Sequence, residues 1–186
     1  MMIEEIKRDA DERMGKSLEV LHGTFGRLRT GRANPSLLDG IEVAYYGTDT
    51  PLNQVASITV EDARTLAISP WEKSLIPEIE KAVLKSDLGI TPASTGGVIR
   101  LPLPALTEEN RRDLARQAKH EAESTRVAIR NIRRDAIADV RELVKNKEIA
   151  EDEARRAEDE IQKLTDKRVA GVDQSLDTKQ ADLMEV

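Results

Sequence analysis

Val127-Ala-Ile-Arg-Asn-Ile-Arg-Arg-Asp-Ala136 carries two messages at once. Between Ser124 and Arg134 stand four arginines (Arg126, Arg130, Arg133 and Arg134) and no acid. At about 100° per residue on a helix, these four and Arg141 fall within an arc of about 100°. Thr125, Ile129, Ile132 and Ala136 occupy the neighbouring face. A basic stripe therefore runs beside an apolar one. Outward from this centre, Leu114, Ala118, Ala122, Val140 and Leu143 extend the apolar stripe over about eight turns. Residues 107–146 read as one helix about 60 Å long. Thr107 is placed to cap its N-terminus, and Glu108 and Glu109 follow in the turn that the helix dipole favours.

A helix this long cannot hide its stripe alone, and two other segments have the same need. Ile3, Ile6, Ala10, Met14, Leu18, Leu21, Phe25 and Leu28 mark a helix over residues 2–29. After Lys145-Asn-Lys147, a last helix carries Ala154, Ala157, Ile161, Leu164, Val172 and Leu176. Together the three predict a three-helix bundle, discontinuous in sequence, from residues 1–30 and 105–186.

Residues 31–104 are patterned differently. Ile41–Tyr46, Val55–Val60 and Thr65–Ser69 are short runs rich in β-branched and aromatic residues, bounded by Gly, Pro, Asp or Asn. Pro77–Ser86 suits one short helix, and Thr91–Ser94 and Val98–Leu103 suit two more strands around Thr95-Gly-Gly97. The expectation is a small α+β domain, one helix against a sheet or small barrel, inserted between the first two bundle helices. Arg29-Thr-Gly-Arg-Ala-Asn-Pro35 and Pro102-Leu-Pro104 are the two tethers. Their Gly and Pro content predicts a hinge there.

The charge is unevenly spread. The net charge is −6, yet residues 107–147 carry eleven basic and eight acidic side chains, and residues 148–186 carry six and twelve. An acidic chain that concentrates its positive charge on one helix is not a general nucleic-acid binder, but it can orient on a charged partner. The apolar share of 39% is too high for disorder. No run reaches the length that spans a bilayer, and Met-Met-Ile-Glu-Glu-Ile is no signal peptide, so no membrane role and a cytoplasmic location are expected.

Enzymatic chemistry finds no footing, and no catalytic residue, metal or cofactor is assigned. Cys is absent, and His22 and His120 lie in different helices without metal-ligand spacing. Each suits a surface or packing role. The acids of the last helix lack a calcium-loop pattern and suit a solvated face. Of Tyr45 and Tyr46, one buried and one exposed is the simpler view for a strand. The arginine stripe is harder to dismiss, since neighbouring like charges destabilise a helix by a few tenths of a kcal/mol per pair. A phosphate backbone would offset that repulsion. A coiled-coil adapter remains the rival, though it gives no reason to segregate the arginines.

Arg29–Gly40, Tyr45–Gly47, Val60–Leu66, Ser86–Gly89, Ile99–Pro104, Leu106–Glu109, Val127–Ala136 and Gln162–Asp166 follow one another in a specific order. On these strings the chain resembles bacterial ribosome recycling factor along its whole length. It implies an L-shaped α+β protein of tRNA-like dimensions, a monomer. It implies binding to the post-termination ribosome, with the bundle against large-subunit RNA near the peptidyl-transferase region. Elongation factor G and its GTP hydrolysis would then separate the subunits. The family's RNA-contacting arginines map onto Arg130 and Arg133 with Arg134; Arg126 shares their stripe, and Arg29 and Arg32 flank the first tether. The hinge maps onto Thr30, Gly31 and Arg32 and onto Pro102, Leu103 and Pro104. Two positions depart from the family pattern: Ala150 stands where a Ser would cap the last helix, and Asn110 where a basic residue is usual.

Overall fold

A computed structural model describes residues 2–185. The chain divides into two compact units, Met1–Phe25 with Ala115–Ala181, and Gly26–Leu114 with Asp182–Val186. The second unit takes in the inserted region together with the adjoining ends of the long helices. Leu28, Leu106 and Leu183, all buried, belong to this unit.

The first unit is built from α1 (Met2–Arg27), α3 (Glu108–Lys145) and α4 (Glu151–Met184). The stripes expected from sequence supply the core: Ala10, Met14, Leu21 and Phe25 from α1, Ala118, Ala122, Ile129, Ile132, Ala136 and Val140 from α3. From α4 come Ala154, Ala157, Ile161, Val172 and Leu176. Many of these are alanines, so the helix axes can approach closely and the core stays thin. Gly171 has the same use: a Cβ there would lie 3.0 Å from Leu18 Cδ2.

Polar links fix the directions. Arg168 meets Asp11 and His22 meets Ser175, pairs separated by 157 and 153 residues, so α4 runs parallel to α1. Thr107 caps α3 as expected, its hydroxyl accepting from the Asn110 N–H at 3.1 Å. At the start of α4 the Ala154 N–H reaches the Ala150 carbonyl at 3.1 Å, and Ala150 has no side-chain oxygen to cap the free N–H groups.

The second unit holds two antiparallel sheets and a helix. β1 (Glu42–Tyr45) pairs with β2 (Thr48–Pro51). β3 (Ala56–Asp62), β4 (Thr65–Pro70), β5 (Ala93–Thr95) and β6 (Val98–Pro102) form a sheet in the order β3-β4-β6-β5. α2 (Ile76–Lys85) carries Pro77 in its first turn. Leu66 and Ile68 of β4, Ile99 and Leu101 of β6, and Ile79 and Val83 of α2 meet Val43 in one core.

β2 is the strand that sequence reading missed. Thr48-Asp-Thr-Pro51 is polar and mostly exposed, so it shows no alternation. Its partner strand and the turn create it: Tyr46 and Gly47 both have positive φ, 49° and 78°. Two such residues form the tight turn whose twist matches a hairpin.

Candidate nucleic-acid interface

All the stripe arginines lie on α3, and partners on α4 decide what three of them have left to offer. Arg141 donates to Glu158 at 3.0 Å, Arg133 to Gln162 at 3.0 Å and Arg126 to Asp173 at 2.9 and 2.6 Å. Partner numbers rise on α4 as they fall on α3, so the stripe runs along the seam of an antiparallel helix pair.

At one end Arg126 is 18% exposed, and Asp173 and Glu123 share its charge at 2.6 and 3.0 Å. Its hydrogen bond to Asp173 is the main reason its guanidinium binds its proton more tightly than usual. Arg130 is 49% exposed and meets Glu123 only at 3.4 Å. Arg133 is half-buried, and its partner is a neutral amide oxygen rather than a carboxylate. Its Nε is buried without an acceptor. Arg134 is exposed, with no hydrogen-bond or ion-pair partner among the described residues. Positive charge thus grows from Arg126 toward Arg133 and Arg134. Beneath it, Ile129 and Ile132 are buried and fix the face.

The tether residues are more firmly held than their Gly and Pro content suggests. Leu103 is buried in the core of the second unit, and its N–H donates to the Arg64 carbonyl at 2.7 Å. The Ala33 N–H donates to the adjacent Ala63 carbonyl at the same distance. Both tethers are thus pinned to one loop. Pro102 ends β6, and Pro104 is exposed. On the first tether the Thr30 hydroxyl accepts from the Arg32 N–H at 3.3 Å. Arg32 is exposed and meets Glu185 at 3.4 Å, while a Cβ on Gly31 would touch the Glu185 carbonyl at 3.4 Å. Arg29 is half-buried, its Nε has no acceptor, and desolvation lowers the proton affinity of its guanidinium.

Other candidates take the bland role. His22 bonds Ser175 at 2.6 Å within the bundle. Tyr45 is half-buried and donates to Glu72 at 3.1 Å, whereas Tyr46 stands 83% exposed, its ring edge-on to Tyr45 at 4.5 Å. Among the described residues no helix is long and apolar enough to cross a membrane. Sequence reading passed over Asp173 and gave Gln162 and Glu158 no part in the stripe. They were hidden because their importance is a cross-helix property. The antiparallel register of α3 and α4 was the one signal that could have revealed them.

The ribosome recycling factor family model matches residues 21–184. The ribosome-recycling factor of Saccharophagus degradans is 60% identical over 185 residues, spanning 100% of both chains. That of Hahella chejuensis is 58% identical over the same span. A solution structure of a ribosome recycling factor superposes with a TM-score of 0.82 at 37% identity, covering 100% of this chain and 99% of that one. Models of the T. thermophilus ribosome recycling factor, with the E. coli elongation factor G, bound to the E. coli post-termination complex give 0.70 at 45%, with 100% of both chains covered. These likenesses place the protein among the translation factors that act by binding and catalyse no reaction. Its α+β architecture, three long helices with an inserted sheet region, is theirs. The chain belongs to the ribosome recycling factor family.

Proposed function

We infer that this chain recycles ribosomes. It binds the post-termination ribosome and, with elongation factor G and GTP, promotes its dissociation into subunits for reuse. The full-length identity of 60% to a ribosome-recycling factor carries this conclusion. The related factor whose structure was described with elongation factor G on a post-termination complex supports the partners. The work takes place in the cytoplasm, where the ribosomes are.

The residues that do it follow from the charge pattern. Arg130, Arg133 and Arg134 face ribosomal RNA of the large subunit and bind its phosphates, which are numerous and geometrically matched to guanidinium groups. Arg126 lies at the edge of the contact and contributes less, because two carboxylates already share its charge. Arg29 and Arg32 add contacts at the first tether. Residues 1–30 with 105–186 act as one mechanical body and residues 31–104 as another. Thr30, Gly31 and Arg32, with Pro102, Leu103 and Pro104, form the hinge. The pinning of Ala33 and Leu103 to one loop supports a pivot at Thr30–Arg32 and Pro104, with Pro102 and Leu103 as its fixed support on the inserted side. Affinity for the large subunit then falls steeply with salt, because each phosphate neutralised releases condensed counterions.

The decisive experiment is sedimentation of post-termination ribosomes with this protein, elongation factor G and GTP. Free subunits should accumulate only when all three are present. Unchanged profiles would refute the assignment.

A further inference from the structure

Arg133 differs from the other seam arginines in the kind of group that holds it. We propose that Gln162, itself oriented by Asp166, is the positioning residue that aims Arg133 without spending its charge. This rests on the assignment of Arg133 to RNA contact.

The hydrogen-bond roles are forced. Arginine has only donors, so the Gln162 oxygen must face it, and Arg133 Nη1 donates to Oε1 at 3.0 Å. The amide nitrogen must then find an acceptor elsewhere, and it donates to Asp166 Oδ1, one turn on, at 2.8 Å. Asp166 therefore locks the amide in the one orientation that serves Arg133. A flipped amide would set its NH2 against the guanidinium and its oxygen against the carboxylate.

Gln162 is also the single grip. Arg133 Nε is buried with no acceptor, and among the described residues no other partner holds the side chain. The neighbours show the alternative, since Arg141 and Arg126 meet carboxylates, Glu158 and Asp173. A carboxylate at position 162 would grip as well and would cancel the charge. A neutral acceptor, with the counter-charge one side chain further away, leaves a pre-oriented cation for a phosphate. Pre-orientation avoids the ordering cost that binding would otherwise incur.

The test is binding to isolated large subunits across a salt series, with four proteins compared. They are wild type, Arg133→Ala, Gln162→Ala and the double variant Gln162→Glu with Asp166→Asn. The double variant reverses the relay: the amide introduced at position 166 donates to the new carboxylate at position 162, which grips Arg133 in the same geometry and neutralises it. Arg133→Ala should weaken binding about tenfold and lower the salt slope by about one. The double variant should match it in both respects while unfolding at the wild-type temperature. Gln162→Ala should bind several-fold more weakly with the slope kept, because charge remains and orientation is lost. If Arg133→Ala binds like wild type, the underlying assignment of Arg133 fails. If Arg133→Ala weakens binding while either variant at position 162 binds with wild-type affinity and slope, the positioning role fails. A merely structural Gln162 would lower the unfolding temperature of both variants and leave the slope of the double variant unchanged, which also overturns it.

Discussion

Arg126 and Arg133 sit about two turns apart on one face of α3, yet they are different groups physically. Arg126 is clamped by Asp173 and Glu123, whereas Arg133 is held by an amide oxygen and keeps its charge. On their own helix Arg126 has Glu123 one turn before it, whereas Arg133 has Arg130 there. The rest of the difference is imposed by α4, at positions 173 and 162. A charged helix face is therefore not a property of one helix. What it offers a partner is what remains after its neighbour in the bundle has taken its share.

The largest effect should come from removing the platform that both ends share. Ile129 is fully buried between them. Ile129→Ala should cost about 2–5 kcal/mol of unfolding free energy, measured by denaturant titration, because a thin alanine-rich core has little material with which to fill the cavity. It should impair both ends alike. A loss under about 1 kcal/mol would mean that the bundle collapses around the site more freely than its packing indicates.

The next effect separates the ends. Arg126→Ala should cost about 1 kcal/mol of stability, since Asp173 loses the cation it meets and Glu123 keeps only the longer contact to Arg130, both partly screened by solvent. Its affinity for large subunits should fall only about two- to threefold, against about tenfold for Arg133→Ala. Equal losses of affinity would erase the distinction.

Asp173→Asn asks the same question in reverse. It relaxes the clamp and returns charge to Arg126, so affinity for large subunits at low salt should rise about twofold and the salt slope should steepen. Unchanged binding would place Arg126 outside the RNA contact.

The same contrast explains what could be read in advance. Spacings of three and four located α1, α3 and α4 to within two residues at the ends quoted, because burial against neighbours imposes that period. The Thr65–Ser69 and Val98–Leu103 strands were legible as short apolar, β-branched runs bounded by turn residues, although only Ile99 and Leu101 alternate and Leu66, Ala67 and Ile68 are buried in succession. Thr48–Pro51 was not, because its strand character comes from pairing with Glu42–Tyr45 across Tyr46-Gly47 and from no apolar face of its own. The arginine stripe was visible as a pattern on one helix. Its gradient of available charge depends in part on nearby Glu123, but also on Gln162 and Asp173, more than 28 residues away in sequence. Leu103 shows the same limit: two flanking prolines suggest a free joint, but its side chain is core and its N–H is bonded.

The smallest expected effect concerns an α4 acid on the seam with α1. Glu160 is bonded by Lys7, which holds its carboxyl below the usual range, while Lys7 itself is raised above the ordinary lysine value. The signs follow from which charged form the fold favours. A depressed carboxyl adds stability above its unfolded value, and that share is lost as pH falls through the folded value. A raised lysine adds stability below its unfolded value and loses it as pH rises through the folded one. The pair is therefore neutral to pH across the middle range and fails first in acid, below about pH 4. Glu160→Gln should move the midpoint of acid unfolding slightly upward and flatten the acid limb of stability against pH. Binding to large subunits at neutral pH should stay at the wild-type level, since Glu160 is tied to α1 rather than to the arginines. A drop in that affinity would show that the two seams of α4 are coupled, and that Arg133 is set by more than the residue it touches.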